Sequence, residues 1–190
     1  SAFINYAATF AISFMLSLFL QYVIGIEATQ AGMILVIQPV VMAIVASFSG
    51  RLSDRKNPRK LAALGMGSSA VGLLLLSFIN QDTSTSYILL ALFILGFGFG
   101  MFSSPNTNVI MGSVDRKVYG TASAMVATMR NTGMMFSMAI ASLTIHWFLG
   151  KAQISIENTE LFVASTRVVF TIFTVLCSIG VYTSLVRSRK

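Results

Sequence analysis

The stretch Gly50-Arg51-Leu52-Ser53-Asp54-Arg55-Lys56-Asn57-Pro58-Arg59-Lys60 separates two apolar runs of the chain, residues 31–49 and 61–79. It places five of the thirteen basic residues within eleven positions, and each flanking run is nineteen residues long. A helix needs about 20 apolar residues to cross the ~30 Å of hydrocarbon in a bilayer. The charged stretch therefore predicts a turn at a membrane surface rather than a loop of a soluble domain.

The composition also indicates a membrane protein. Of the 190 residues, 55% are hydrophobic and only 10% are charged, and the mean hydropathy is +0.80. Soluble domains contain about 25% charged residues. The net charge of +7 does not indicate nucleic acid, because the basic residues lie mainly at the ends of apolar runs. The single cysteine, Cys177, has no partner for a disulfide or a metal site, so we expect neither metal nor cofactor.

Six apolar segments follow one another along the chain. We predict an all-α membrane protein with six transmembrane helices at approximately residues 2–24, 31–49, 61–79, 87–111, 118–149 and 161–186. The runs lack the alternation of a transmembrane barrel. Because the chain enters an apolar run at Ser1 without Met or a charged leader, we expect it to be a piece of a longer protein.

Basic residues mark one side of the predicted bundle. The two charged turns and the tail at residues 187–190 hold ten basic residues, whereas the other three links hold one, Lys151, together with four acids. Positive charge stays on the cytoplasmic side of a membrane. We therefore expect a multi-pass protein of the cell membrane with both termini of this segment in the cytoplasm.

The first predicted helix carries a polar row with a spacing of four residues: Asn5, Thr9, Ser13, Ser17 and Gln21. A step of four drifts by about 40° around a helix, so the row is a slow spiral. Polar groups are costly against lipid and should face protein or water. Two readings remain open, hydrogen bonding between helices and the lining of an aqueous cavity.

Small residues and prolines predict close packing and backbone irregularity. Gly96 and Gly100 form a Gly-xxx-Gly pair, and Gly133 and Ser137 continue a second small-residue seam. Gln38-Pro39 predicts a kink, and residues 103–106 (Ser-Ser-Pro-Asn) predict a local break.

Two arginines lie inside predicted spans. Arg130 is the thirteenth residue of the fifth helix, about 18 Å from its start, which predicts a position near mid-membrane. Such a charge faces a partner or water, so it either pairs with carbonyls at a helix break or contacts a ligand or proton path. Arg167 is only the seventh residue of the sixth helix and can turn its charge toward the membrane surface.

The charged stretch resembles the signature loop between the second and third helices of each half of major facilitator superfamily transporters. Six residues match that pattern: Gly50, Leu52, Asp54, Arg55, Arg59 and Lys60. Asn57 stands where glycine is usual, a mild departure because asparagine tolerates a left-handed backbone. Residues 104–106, 120–124 and 130–133 are similar to helices ten and eleven of drug:proton antiporters, especially those of the fourteen-helix branch.

The resemblance implies that the chain is the carboxy-terminal six-helix bundle of a transporter whose amino-terminal bundle is missing. It implies proton-coupled efflux of drugs or other amphipathic small molecules by alternating access, with the signature loop as a gate between bundles. The first and fourth helices would line the substrate cavity, with Asn5, Thr9, Ser13, Gln21, Phe93 and Phe97 on the substrate side.

Other functions remain as alternatives. All six acids lie in the predicted links, so a coupling carboxylate would belong to the missing half. An intramembrane serine protease would need Gly-x-Ser-x-Gly and a suitable histidine, but the chain has no such motif and its one histidine ends a span, so we expect no enzyme. A non-transporting assembly or receptor subunit of the same fold is the alternative function.

Overall fold

A computed structural model of the chain describes residues 2–150 and 158–186. Within these ranges the chain contains no strand, and its α-helices are α1 (Ala2–Leu18), α2 (Ala28–Leu35), α3 (Ile37–Ser53), α4 (Pro58–Ser77), α5 (Thr85–Gly112), α6 (Tyr119–Leu149) and α7 (Thr159–Val186). They form six segments long and apolar enough to span a membrane. The predicted all-α membrane architecture is confirmed. Lys151, Glu157 and the basic tail at 187–190 lie outside the described residues.

The helices extend beyond the apolar runs that predicted them. The second span is helical from Ala28 to Ser53, so the predicted bounds 31–49 are wrong at both ends. Polar residues outside the hydrocarbon do not interrupt helical hydrogen bonds, so hydropathy marks the buried part of a helix and not its ends. The first span closes with a π-helix, Phe19–Val23, in which the N–H of Ile24 donates to the carbonyl of Phe19 at 3.2 Å.

Two prolines have different effects on their helices. The second span is interrupted at Val36, three residues before Pro39, because proline supplies no N–H to the carbonyl one turn earlier. By contrast, the break predicted at residues 103–106 is wrong, since α5 continues through Pro105. Pro105 is buried, and a membrane helix tolerates proline where neighbouring helices hold it in place.

The bundle consists of two three-helix units, the first formed by the first three spans (α1 to α4) and the second by α5, α6 and α7. The middle helix of each unit packs against the first helix of the other unit. α3, from the first unit, packs along α5, the first helix of the second unit, and α6, the middle helix of the second unit, packs along α1. α4 and α7, the last helix of each unit, pack against each other. Because each unit has three crossings, the second begins on the opposite side of the membrane, as in inverted-topology repeats.

Glycines bring the helices of the second unit into close contact with the first. A Cβ placed on Gly96 or Gly100 would lie 2.6 Å from the carbonyl oxygen of Gln38 or 2.8 Å from that of Met42, both in the second span. A Cβ on Gly98 would lie 2.6 Å from the backbone nitrogen of Ser69 in α4. Such approaches are available only to residues without a side chain, and they are the main packing device of membrane helices.

The centre of the bundle is filled by aromatic side chains that are fully buried: Phe19, Phe99, Phe102, Phe162, Phe170 and Phe173. Lipid is as apolar as phenylalanine, so these rings stabilise the bundle through dispersion and packing rather than through removal from water. Cys177 lies in the same core.

Two of the six spans are largely uncovered. Only 11% of the most apolar part of the second span and 22% of the fifth are buried, against 44–56% of the other four. Large apolar side chains are exposed along both, including Ile44 and Phe48 on α3 and Met135 and Phe136 on α6. Each of these spans therefore has a broad face that the described residues leave without a protein partner.

Arg167 is bonded at the end of a neighbouring helix. Its Nε donates to the carbonyl of Ile79, which lies just past the end of α4. The last carbonyls of a helix have no partner within the helix, so a cation there satisfies a free acceptor. Arg167 thus turns toward the end of the bundle, where it links α7 to α4.

Candidate functional site

The polar row of α1 is buried at its start and most exposed in its middle. Asn5 is 2% exposed and its Nδ2 has no hydrogen-bond partner, whereas Ser13 is exposed. Thr9 donates to the carbonyl of Asn5 at 3.0 Å. Gln21, in the π-helix, donates to the carbonyl and the hydroxyl of Ser17, both at 3.0 Å. The row is therefore buried at Asn5, open at Ser13 and half-buried again at Gln21.

A cleft of about 270 Å³ separates this face from the second span. We call it the polar cleft; it is lined by Thr9, Ser13, Gly32, Leu35, Val36, Gln38, Pro39 and Met42. The interruption of the second span at Val36 lies in its wall. Val36 keeps helical dihedral angles (φ −62°, ψ −24°), and the irregularity consists of the hydrogen bond that Pro39 cannot donate to the carbonyl of Leu35.

A second cleft, of about 350 Å³, lies on the other side of the same α1 face. We call it the methionine cleft; it is lined by Phe10, Met134, Met135, Met138, Ala139 and Ser142. Methionine side chains adapt to apolar groups of different shape. The exposed face of α1 is thus flanked by two clefts, one against each uncovered span.

Phe93 and Phe97 lie on a different surface. They are 54% and 43% exposed on α5. Their neighbour Gly96 packs on α3 and Gly98 packs on α4, so Phe97 points outward between these two helices. Leu95, on the opposite side of α5, is in the core. Neither ring belongs to the lining of the polar cleft or of the methionine cleft.

Arg130 lies over an aromatic ring of α1. Its guanidinium carbon is 4.9 Å from the centre of the Tyr6 ring, and the arginine side chain is exposed. This contact is possible because Gly133 lets α6 approach α1, where an added Cβ would lie 3.0 Å from the carbonyl oxygen of Phe3. Ser137, one turn on, is buried and donates to the carbonyl of Met134 at 2.8 Å.

The same arginine is not placed at a helix break. α6 is continuous from Tyr119 to Leu149 around Arg130. Among the described residues Arg130 has neither a hydrogen bond nor an ion pair. Pairing with freed carbonyls, one of the two predicted environments, is therefore wrong for Arg130; the bond to a free carbonyl is made by Arg167.

The charged turn at residues 50–60, the signature turn, is shorter than the sequence predicts. α3 continues to Ser53 and α4 begins at Pro58, which leaves only residues 54–57 outside a helix. Within α3, Ser49 donates to the carbonyl of Gly100 at 2.8 Å. Ser53 accepts from Nδ2 of Asn108 at 2.6 Å. These bonds hold the turn against the end of α5.

Gly50 and Asn57 have local structural roles in this turn. A Cβ on Gly50 would lie 2.7 Å from Oγ of Ser104 in α5. Asn57 is the N-cap of α4, and its Oδ1 accepts from the N–H of Arg59 at 3.0 Å. Its φ is −59°, so this position does not use the left-handed backbone that asparagine tolerates. Asparagine fits here because it caps a helix that begins with Pro58.

The charged residues of the turn have their side chains in the open. Asp54, the C-cap of α3, is exposed, and its carboxylate has no hydrogen bond or ion pair within the part of the chain that the structure describes. Arg55, Arg59 and Lys60 are also exposed, and Leu52 is half-buried. An open hollow of about 480 Å³ adjoins the turn, lined by Phe48, Arg51, Leu52, Asp54 and Arg55.

Comparison with known proteins identifies the family. A family model described as the Major Facilitator Superfamily matches residues 1–190. The chain belongs to the Major Facilitator Superfamily. The resemblance inferred from Gly50, Asp54 and their neighbours is thereby confirmed.

Relatives in this superfamily are considerably longer than the chain. It is 25% identical over 185 residues to the riboflavin transporter RibZ of Clostridioides difficile, which covers 97% of the chain and 41% of that protein. It is 32% identical over 133 residues to the uncharacterized transporter YebQ of Escherichia coli, covering 70% and 29%. It is 29% identical over 136 residues to Multidrug resistance protein 3 of Bacillus subtilis, covering 71% and 27%.

A solved structure has the same fold. A bacterial homologue of the human drug peptide transporters PepT1 and PepT2 superimposes with a TM-score of 0.71 and 17% identity, covering 96% of the chain and 40% of that protein. At this identity the match shows the fold alone. The chain therefore spans about two fifths or less of the length of these superfamily members.

Several residues of the site carry no distinctive sequence signal. Tyr6 is an ordinary aromatic residue of an apolar run, and only the approach of α6 gives it a guanidinium neighbour. Phe10 and the methionines of the methionine cleft are equally ordinary in a lipid-facing helix. In this superfamily chain no group of three His, Cys, Asp or Glu among the described residues is placed to hold a metal ion.

Proposed function

We propose that the chain is the carboxy-terminal six-helix bundle of a secondary active transporter. The complete protein would export drugs or other amphipathic small molecules in exchange for protons by alternating access. The substrate would bind at the exposed face of α1, and the two bundles would rock about it.

The observation that carries this proposal is the position of the uncovered surface. The second and fifth spans are the least buried, and the two clefts at the α1 face lie against them. A second six-helix bundle laid on these two spans would cover their apolar faces and enclose the α1 face between the bundles. The proposed amino-terminal bundle is therefore the partner that this surface fits.

The relatives support a small organic substrate. One is named a multidrug resistance protein and another a riboflavin transporter. A further relative of Listeria monocytogenes, 27% identical over 139 residues, is named lincomycin resistance protein LmrB. These names, together with the apolar methionine cleft and the hydroxyl groups of the polar cleft, favour amphipathic compounds as the transported class.

Proton coupling would require a titrating group elsewhere in the protein. Among the described residues no carboxylate lies deeper in a span than Glu160, in the first turn of α7. We therefore propose that the proton-carrying acid belongs to the amino-terminal bundle.

The signature turn is proposed as a gate between the bundles. Asp54 lies at the carboxyl end of α3, where the helix dipole disfavours a negative charge, and its carboxylate has no hydrogen-bond or ion-pair partner among the described residues. The open hollow beside Asp54 and Arg55 is placed to receive an element of the other bundle. Contact there in one access state, and its loss in the other, would give the turn its switching role.

Transport by the full-length protein tests the proposal. In inside-out vesicles we expect a fluorescent amphipathic dye to accumulate only when the lumen is acidic, and nigericin to release it because the proton gradient collapses. Vesicles prepared from membranes without the transporter serve as the control. Accumulation that ignores the proton gradient would refute proton coupling, and the absence of any movement would favour a non-transporting subunit of the same fold.

A further inference from the structure

Arg130 is a cation without a counter-charge. The acids that the structure describes lie in turns, at helix caps or, for Glu160, in the first turn of α7, and none pairs with Arg130. Its guanidinium lies over the face of the Tyr6 ring, at 4.9 Å. A guanidinium carries five N–H donors and accepts nothing, so this one has donors to spare.

Tyr6 supplies a second unused donor at the same place. The side chain is 5% exposed, yet its hydroxyl has no hydrogen-bond partner. A buried hydroxyl without a partner is rare in folded proteins and needs a reason. Arg130 lies over the ring of the same residue, and an oxyanion such as a carboxylate, phosphate or sulfonate that enters this seam can accept from both groups.

The methionine cleft begins one helical turn away from this pair. Phe10 follows Tyr6 by four residues on α1, and Met134 follows Arg130 by four residues on α6, so both lie on the faces that carry the donors. The cleft, of about 350 Å³, has an almost wholly apolar lining. It offers room for the ring system of a small organic molecule, with the donor pair at its end.

We infer that the seam between α1 and α6 binds an amphipathic anion, whose negative group lies on Arg130 and Tyr6 and whose apolar body lies in the methionine cleft. This inference rests on the proposed transport of amphipathic compounds and specifies the charge of those that bind here. The polar cleft on the other side of α1 has no charged residue in its lining, so the preference for anions belongs to the methionine cleft.

Binding of two matched probes to the purified full-length protein tests the inference. 2-Naphthalenesulfonate and 2-naphthyltrimethylammonium share an apolar body and differ in charge, and calorimetry in an uncharged detergent measures each dissociation constant. We expect Arg130→Gln to weaken the sulfonate about tenfold or more, as the loss of a charge-assisted hydrogen bond does, and to leave the ammonium probe bound at least as tightly, because a like charge is removed. Tyr6→Phe keeps the ring and should weaken the sulfonate alone.

Two further variants separate the effect of charge at the site from that of charge elsewhere in the protein. Arg130→Lys keeps the charge and should retain part of the sulfonate affinity, and Arg116→Gln removes a cation outside the cleft and should change neither probe. If Arg130→Gln does not fold, Tyr6→Phe decides. Unchanged sulfonate binding in Tyr6→Phe and Arg130→Gln would overturn the inference.

These measurements also distinguish a bound small-molecule anion from a carboxylate of the amino-terminal bundle. If a carboxylate of the amino-terminal bundle occupies the donor pair, Arg130→Gln will lower the thermal stability of the ligand-free protein and weaken both probes equally, and the inference is wrong. Failure of the vesicle experiment with sulfonate binding intact would refute the proposed transport and leave the binding site standing.

Discussion

Asp54 is the residue of the signature turn for which the local structure offers no stabilising role. It is exposed at the carboxyl end of α3 and has no partner in the described part of the chain. A negative charge at that end of a helix is unfavourable by about 0.3–1 kcal/mol. A residue that gains nothing locally is expected to gain from a contact that this chain does not contain.

We therefore expect Asp54→Asn in the full-length transporter to leave folding intact and to slow transport about tenfold or more. The reason is that a charge-assisted contact of roughly 1.5–3 kcal/mol, made in one access state only, shifts the balance between states by that factor. Initial rates of dye efflux, normalised to the amount of protein in the membrane, provide the measurement.

Asp115→Asn is the matched control for this substitution. Asp115 is exposed in the second charged turn and its side chain caps no helix. The Asp115→Asn variant loses the same charge outside the signature turn, so its transport rate should stay near that of the unmodified protein. Equal transport rates for Asp54→Asn and the unmodified protein would refute the proposed gating role of the signature turn.

At the scale of helices, the contact between α4 and α5 depends on glycines that face each other. A Cβ on Gly65 would lie 2.5 Å from the backbone nitrogen of Phe102 and 2.7 Å from the carbonyl oxygen of Gly98. Backbone atoms cannot rotate away as a side chain can. The two helices can therefore accommodate a methyl group only by moving apart along their seam.

We expect Gly65→Ala to destabilise the bundle by about 1–3 kcal/mol, the usual effect of overpacking. Gly67→Ala is the control on the same helix, since nothing lies within 4 Å of a Cβ at Gly67. It should be neutral or slightly stabilising, because alanine favours the helix over glycine. Thermal unfolding in detergent would show the difference, and equal midpoints for the two variants would contradict the packing described.

At the scale of the whole molecule, the basic turns give the bundle its direction. The ends of α3 and α5 and the starts of α4 and α6 lie at the end that carries Lys56 and Lys117, and the link at residues 80–84 lies at the other. We propose that the basic end faces the cytoplasm.

Cysteine labelling of intact cells tests this direction. A membrane-impermeant maleimide added outside should modify Gln81→Cys and leave Lys56→Cys unmodified until the cells are opened. Both positions are exposed, and the native Cys177 is buried, so the background should be small. Labelling of Lys56→Cys in intact cells would reverse the proposed direction.

The sequence by itself determined the six spans, their order and the family. Hydropathy and charge are properties of consecutive residues, and they decide which segments cross the bilayer as helices. The motif around Asp54 is equally local. Hydropathy and charge did not predict the bounds of the helices or the N-cap at Asn57, because both depend on backbone hydrogen bonds rather than on polarity.

Only the tertiary structure decided which residues share a surface. It placed Thr9, Ser13 and Val36 in one cleft, set Arg130 on Tyr6, and left Phe97 outside the lining of that cleft. These outcomes follow from how each helix is rotated and where it crosses its neighbours. Rotation and crossing are set by contacts between distant segments, such as Gly65 with Gly98, and no run of consecutive residues contains that information.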